Sequence, residues 1–225
     1  MSWIDINDPE VLLAATYVPV SVRKAWELLF GLDLHLANVV RTTTEPMIGT
    51  MRLTWWRDAI EALGQARAPD EPLLQALSAA FSPLGMDFAR LSDMAEGWVV
   101  LLDPMPLAAE ALDEHARLRG GTLFAALARV TGAPEDARFA QAGEGWALVD
   151  FACRCSDRET AEAALAIART RLEEALATCW PKPMRAAGAL AHLALRDARA
   201  GLDAPRRIGS PGRVVRMLRH RMTGR

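Results

Sequence analysis

The sequence predicts an all-α fold. Ala and Leu, both strong helix formers, dominate its 225 residues, and no strict apolar–polar alternation persists over a strand length. Pro and Gly punctuate the chain at helix-length intervals. Together these features point to a single-domain helical bundle with short connections over residues 1–202. A basic linker and a C-terminal amphipathic helix follow over 203–225.

Each helix has its own signal. From Ser21 to Val40, the residues Ala25, Leu28, Leu29, Leu32 and Leu36 recur at three- and four-residue steps and make one apolar face. A second helix starts after Pro46, carries the adjacent Trp55 and Trp56, and stops near Gly64. Further helices are expected over about 71–81, 87–102, 108–131 and 135–154. Ser156-Asp157-Arg158-Glu159 matches a capping box, in which a hydroxyl and a carboxylate satisfy free N–H groups, so the next helix begins there. It runs to about Thr178, ahead of Pro181 and Pro183. Another extends from Met184 to Ala200 and ends at Gly201.

The tail differs in composition. Arg206 to Arg225 contains seven arginines and no acidic residue, with Val214, Val215, Met217, Leu218 and Met222 as apolar positions. Such a segment either packs back onto the bundle with its arginines solvated, or lies on an anionic bilayer surface. Peripheral membrane contact through Arg206–Arg225 is therefore one expectation.

Composition excludes several function classes. With 51% hydrophobic and 24% charged residues, the chain reads as an ordinary soluble protein, and a net charge of −2 gives no attraction to nucleic acid. Cys153, Cys155 and Cys179 form no CxxC pair, and three cysteines cannot all pair, which favours a reducing, cytoplasmic compartment with the thiols buried as small apolar groups. Met1–Asp8 is acidic and lacks the basic and apolar regions of a secretory signal. No run of about 18 apolar residues is present to span a membrane. His35, His115, His192 and His220 are too dispersed for a metal-ligand pattern. Ser-His-Asp signatures, glycine-rich phosphate loops and zinc-binding cysteine pairs are absent.

Four segments form an ordered pattern: Tyr17-Val18-Pro19, Arg23 to Phe30, Glu45-Pro46, and Arg52-Leu53-Thr54-Trp55-Trp56-Arg57-Asp58-Ala59-Ile60. That pattern resembles the squalene/phytoene synthase family, whose members join two isoprenoid diphosphates head to head. The stretch from Asp113 through Arg119-Gly120-Gly121-Thr122 to Ala128 is similar to the family's middle helix, and Arg169 to Ala200 has its hydrophobic rhythm. The resemblance covers roughly residues 15–200. It implies an isoprenoid synthase-type bundle around a central cavity.

The family's enzymes hold a diphosphate through Mg²⁺ bound by two Asp-x-x-x-Asp motifs on facing helices, because Mg²⁺ demands hard oxygen ligands. This chain departs from that pattern. Alignment puts His35 and Val39 where the early aspartates belong, leaving Asp33 as the one carboxylate on Phe30–Val40. On the late helix, Asp150 is followed four residues later by Arg154. The family's non-catalytic branch, which includes a mitochondrial assembly factor for respiratory complex I, also lacks these motifs, and the Glu45-Pro46 to Ala59 segment resembles it. The implied function is a non-catalytic assembly or chaperone factor related to respiratory complex I, or a lipid-binding protein. Its partners would be respiratory complex subunits or an isoprenoid lipid, at the inner face of a membrane, with no cofactor. The alternative is a divergent prenyl-diphosphate transferase using Mg²⁺.

Asp33 and Asp150 are thus the catalytic candidates, and His35, Arg52, Trp55, Trp56, Gly120 and Gly121 the cavity candidates, with no metal ligand assigned. Trp55 and Trp56 stand about 100° apart, so one is expected in the core and the other at a neighbouring helix or cavity rim. Arg57 is placed to reach Glu61, and Arg52 or Arg57 offers a bidentate fit to phosphate. Two glycines inside a helix cost about 1–2 kcal/mol relative to alanine, a cost that close helix contact or an open cavity wall would offset. His35 is expected to fill its site without binding an ion.

Overall fold

The computed structural model describes residues 7–225, and helices make up all of its regular secondary structure among those residues. Met1–Ile6, most of the segment read as lacking a signal sequence, lie outside the described residues.

Eleven α-helices are present among the described residues. The first, α1 (Pro9–Thr16), was not anticipated; Asp8 caps it by accepting from the Glu10 and Val11 amides, and Pro9 occupies its first turn. Helices α2 (Val20–Arg41), α3 (Pro46–Ala62), α4 (Pro72–Phe81) and α5 (Phe88–Val99) follow the expected order. The helix expected over 108–131 is one helical run with a change of pitch. It comprises α6 (Ala109–His115), a π-helical turn (Ala116–Gly121) and α7 (Thr122–Thr131). Next come α8 (Ala137–Ala152), α9 (Arg158–Ala175), α10 (Arg185–Ala200) and α11 (Pro211–Thr223).

The capping box is realised differently from the expectation. Asp157, not Ser156, caps α9 by accepting from the Thr160 amide. Its carboxylate is one residue closer to the free N–H groups and wins that position. Cys153 and Cys179 are exposed and Cys155 is half-buried, so the expectation of buried thiols does not hold.

The core is one continuous cluster. It runs from Trp26, Leu29, Leu32 and Leu36 on α2, through Leu53 and Ile60 on α3, to Leu123 and Phe124 on α7 and Leu148 on α8. The π turn lies between α5 and α8, and α8 also packs on α9, α7 and α10. The tail helix packs on α10. Arg213 on α11 is buried and pairs with Glu10 on α1 and Asp197 on α10. No helix among the described residues is long and apolar enough to cross a membrane.

Candidate functional site

The centre of the bundle is organised by one arginine. Arg119 sits in the π turn with a side chain 3% exposed. Two backbone contacts fix its position. A Cβ on Gly97 of α5 would lie 2.7 Å from the Arg119 nitrogen, and one on Gly120 would lie 2.1 Å from the carbonyl oxygen of Gly143 on α8. Neither distance is available to a real side chain, so glycine is required for the π turn to wedge between α5 and α8. A π turn widens the helix by a residue and aims side chains that an α-helical repeat would place elsewhere.

The guanidinium joins both candidate carboxylates. Arg119 Nε donates to Asp33 Oδ1 at 2.8 Å, and Nη2 donates to Asp33 Oδ2 at 2.9 Å and to Asp150 Oδ2 at 2.8 Å. Trp98 Nε1 donates to Asp33 Oδ1 at 3.1 Å, and Arg154 Nε donates to Asp150 Oδ1 at 3.0 Å. Every carboxylate oxygen of Asp33 and Asp150 thus already accepts a charged or indole donor.

Aromatic rings close the remaining space. The Arg119 guanidinium carbon lies 4.1 Å from the Trp98 ring centre and 5.1 Å from that of Trp146, a cation–π arrangement on two rings. Phe30 and Phe124 each stand 5.9 Å from Trp146. His115, fully buried, packs at 5.6 Å from Trp98 and 5.8 Å from Phe151, and its Nδ1 meets the Gly97 carbonyl oxygen at 2.6 Å. The space immediately around Arg119 is thus filled by side chains. Two hollows, of about 560 and 530 Å³, open at the periphery, and neither is lined by Asp33, Arg119 or Asp150.

Electrostatics follow from this arrangement. Burial raises the pKa of Asp150, but Arg119 and Arg154 outweigh it and hold the carboxyl down at about 2. Burial also opposes the charge on Arg119, yet Asp33 and Asp150 raise its pKa well above the ordinary value. Burial drives His115 down to about 3, with Arg119 adding to the effect, so its ring is neutral at pH 7. Two carboxylates and two guanidiniums sum to no net charge.

The other expected residues separate from this centre. His35 faces away from Asp33, as two residues on a helix differ by about 200°. Its ring packs on Trp56 at 4.2 Å. Of the tryptophan pair, Trp56 is 6% exposed and Trp55 49% exposed. Trp55 continues an outer stripe of α3 with Met47, Ile48 and Met51, all exposed. Arg52 donates to the Thr43 hydroxyl at 3.0 Å on the surface. Arg57 pairs with Glu96 at 2.6 Å and Asp58 at 2.7 Å, not with Glu61, because α5 brings Glu96 alongside. Gly120 serves close helix contact, whereas a Cβ on Gly121 would stand at ordinary contact distances, 3.4 Å from the Glu144 side chain and 3.8 Å from the Ala140 carbonyl oxygen. The residues missed from sequence are Arg119, Trp98, Trp146 and His115. The Arg119-Gly120-Gly121 step attracted attention for its glycines, while the arginine beside them was the signal.

Magnesium does not fit this centre. Its usual anchors are free carboxylate oxygens converging on one point, and here all four are committed to protein donors. Among the described residues, no group of three or more His, Cys, Asp or Glu side chains is arranged to hold a metal.

Comparison with known proteins places this geometry in context. Residues 7–221 match a family model described as squalene/phytoene synthase. A crystal structure of a dehydrosqualene synthase in complex with ligand superposes with a TM-score of 0.75, covering 96% of this chain and 91% of that one at 16% identity. At that identity the likeness is one of fold, the all-α isoprenoid synthase architecture. No curated protein matches the sequence.

Proposed function

Because the chain belongs to the squalene/phytoene synthase family, we propose that it keeps that family's scaffold without metal-dependent condensation and acts by binding. The observation that carries this reading is the Asp33–Arg119–Asp150 bridge. A site that ionises a diphosphate needs oxygens free for cations and a volume for the leaving group. Here an internal guanidinium takes the cations' place, two indoles flank it, and the local charge is already balanced. Opening the centre to Mg²⁺ would mean breaking a buried ion network, which costs several kcal/mol. Asp150, held near pKa 2, is fully ionised at pH 7 and so has no proton to give as a general acid.

A binding role requires a surface. The outer stripe of α3, with Met47, Ile48, Met51 and Trp55 exposed, lies on the segment that resembles the non-catalytic branch, and an apolar stripe of this kind suits a protein partner. By that resemblance the partner is a subunit of respiratory complex I under assembly. The other reading, a divergent prenyl-diphosphate transferase, is favoured by the convergence of Asp33 and Asp150 on one point.

Incubation of the purified protein with farnesyl or geranylgeranyl diphosphate and Mg²⁺ separates the two. No diphosphate release and no C30 or C40 hydrocarbon is the expected result; sustained turnover abolished by Asp150→Ala would overturn the proposal. Deleting the gene is expected to impair respiratory complex I assembly, and normal assembly would remove the assigned partner.

A further inference from the structure

The last helix turns one face into the bundle and leaves a second, apolar face exposed. Inward, Arg213, Met217 and His220 are buried, and Arg213 is committed to Glu10 and Asp197. Arg221 donates to the Tyr17 carbonyl oxygen and lies over the Tyr17 ring. Outward, Val215, Leu218 and Met222 are 65%, 47% and 70% exposed. Their spacing at i, i+3 and i+7 aligns them in a stripe about 10 Å long, on the side opposite Arg213 and Met217. Arg216 and Arg219, both exposed, border that stripe on one flank, and neither takes part in an ion pair among the described residues. No acidic residue occurs from Arg206 to Arg225 to neutralise them.

Packing therefore explains the inner face and leaves the outer one unaccounted for. An apolar stripe flanked by unpaired guanidiniums suits a surface that is apolar a few ångströms down and anionic at its rim. Guanidinium stems can lie along such a boundary with their heads at phosphate level. We propose that α11, while still docked on the bundle, rests on an anionic lipid bilayer. Val215, Leu218 and Met222 enter the headgroup–acyl boundary, and Arg216 and Arg219 meet lipid phosphates. This contact is narrower than one made by the whole arginine-rich tail, because Arg213 and Arg206 spend their charge inside the protein on Glu10 and Asp197. It goes beyond the proposed binding function and holds whether or not the interior is catalytic.

Co-sedimentation with vesicles tests it. The full chain is expected to pellet with vesicles containing about a third phosphatidylglycerol in phosphatidylcholine, and about tenfold less with phosphatidylcholine alone. The exposed substitutions Val215→Ser/Leu218→Ser/Met222→Ser, and separately Arg216→Gln/Arg219→Gln, are each expected to reduce anionic-vesicle binding about tenfold, with helicity and urea midpoint retained. Failure of the wild type to bind anionic vesicles, or equal binding by wild type and both variants, overturns the proposal. So does loss of binding in Met47→Ser/Met51→Ser on α3 instead. A lipid-free dimer that the α11 substitutions convert to monomer would assign the stripe to a second copy and overturn it as well.

Discussion

Arg119 shows how a single side chain sets the character of a buried site. It neutralises Asp33 and Asp150 where water cannot, and their burial makes the pairing indispensable. Arg119→Gln removes the cation and strands two carboxylates, so a loss of about 3–5 kcal/mol is expected in urea unfolding at pH 7. Replacing the network together, as Asp33→Leu/Arg119→Met/Asp150→Leu, removes the charges along with the need to pair them and is expected to recover most of that loss. A triple variant no more stable than the single one would mean that shape, not charge, governs this centre. The pH dependence has a defined sign. Asp150 titrates at about 2 when folded, below the value of about 3.9 for an unfolded aspartate. Its stabilising contribution is thus complete above about pH 4 and disappears as the pH falls toward 2.

Among the elements, the π turn decides the geometry. It presses its backbone against α5 at Gly97 and against α8 at Gly143. Gly143→Ala would put a Cβ 2.0 Å from the Gly120 carbonyl oxygen, forcing the helices apart, at a cost of about 3 kcal/mol. Gly121→Ala, next to Gly120, would meet the flexible Glu144 side chain at 3.4 Å and the Ala140 carbonyl oxygen at 3.8 Å, ordinary contact distances, and should change stability by no more than about 1 kcal/mol. Thermal melts of the two variants distinguish a close helix crossing from a general intolerance of alanine in this run.

This element also marks the limit of what the sequence discloses. Helices α2 to α5 and α8 to α11 are legible because their apolar spacing, prolines and caps are local signals. Helix α1 carries one too, Asp8 followed by Pro9, but its apolar stretch is too short to stand out by periodicity. The family and its fold were legible in the order of segments from Tyr17 to Ile60. What could not be read was the change of helical pitch at Ala116–Gly121, since α and π turns differ in no local residue preference that these six residues display. Without it, Arg119 falls on the wrong side of the helix, and the one residue joining Asp33 to Asp150 stays invisible. Residues Asp33 and His35 show the same limit: they are close along the chain, and direction around α2 sends Asp33 to Arg119 and His35 to Trp56.

At the scale of the whole molecule, two buried histidines and one half-buried one couple the fold to pH. His115 is held down at about 3, His192 at about 4 and His220 at about 3, with burial the largest cause in each case. His115 lies at the centre, while His192 and His220 stack at 4.4 Å between α10 and α11. All three titrate below the value of about 6.5 for an unfolded histidine, so the unfolded chain takes up protons first. Stability is therefore full above about pH 6.5 and declines as the pH falls toward 4, unlike the Asp150 effect, which begins lower. Urea midpoints measured between pH 7 and 4.5 should decrease steadily, and His220→Leu should flatten the decline. An unchanged slope in that variant would remove His220 from the account.

The pairing of Glu10 with Arg213 spans 203 positions of sequence. Helix α1 is capped by Asp8 and packs on α2 and α10, and the buried ion pair ties it to α11 as well. Glu10→Gln would deprive the Arg213 guanidinium of one of its two counter-charges and loosen that tie. Limited proteolysis of that variant should therefore cut first near the junction of α1 and α11, which makes this clasp visible before the fold as a whole is lost.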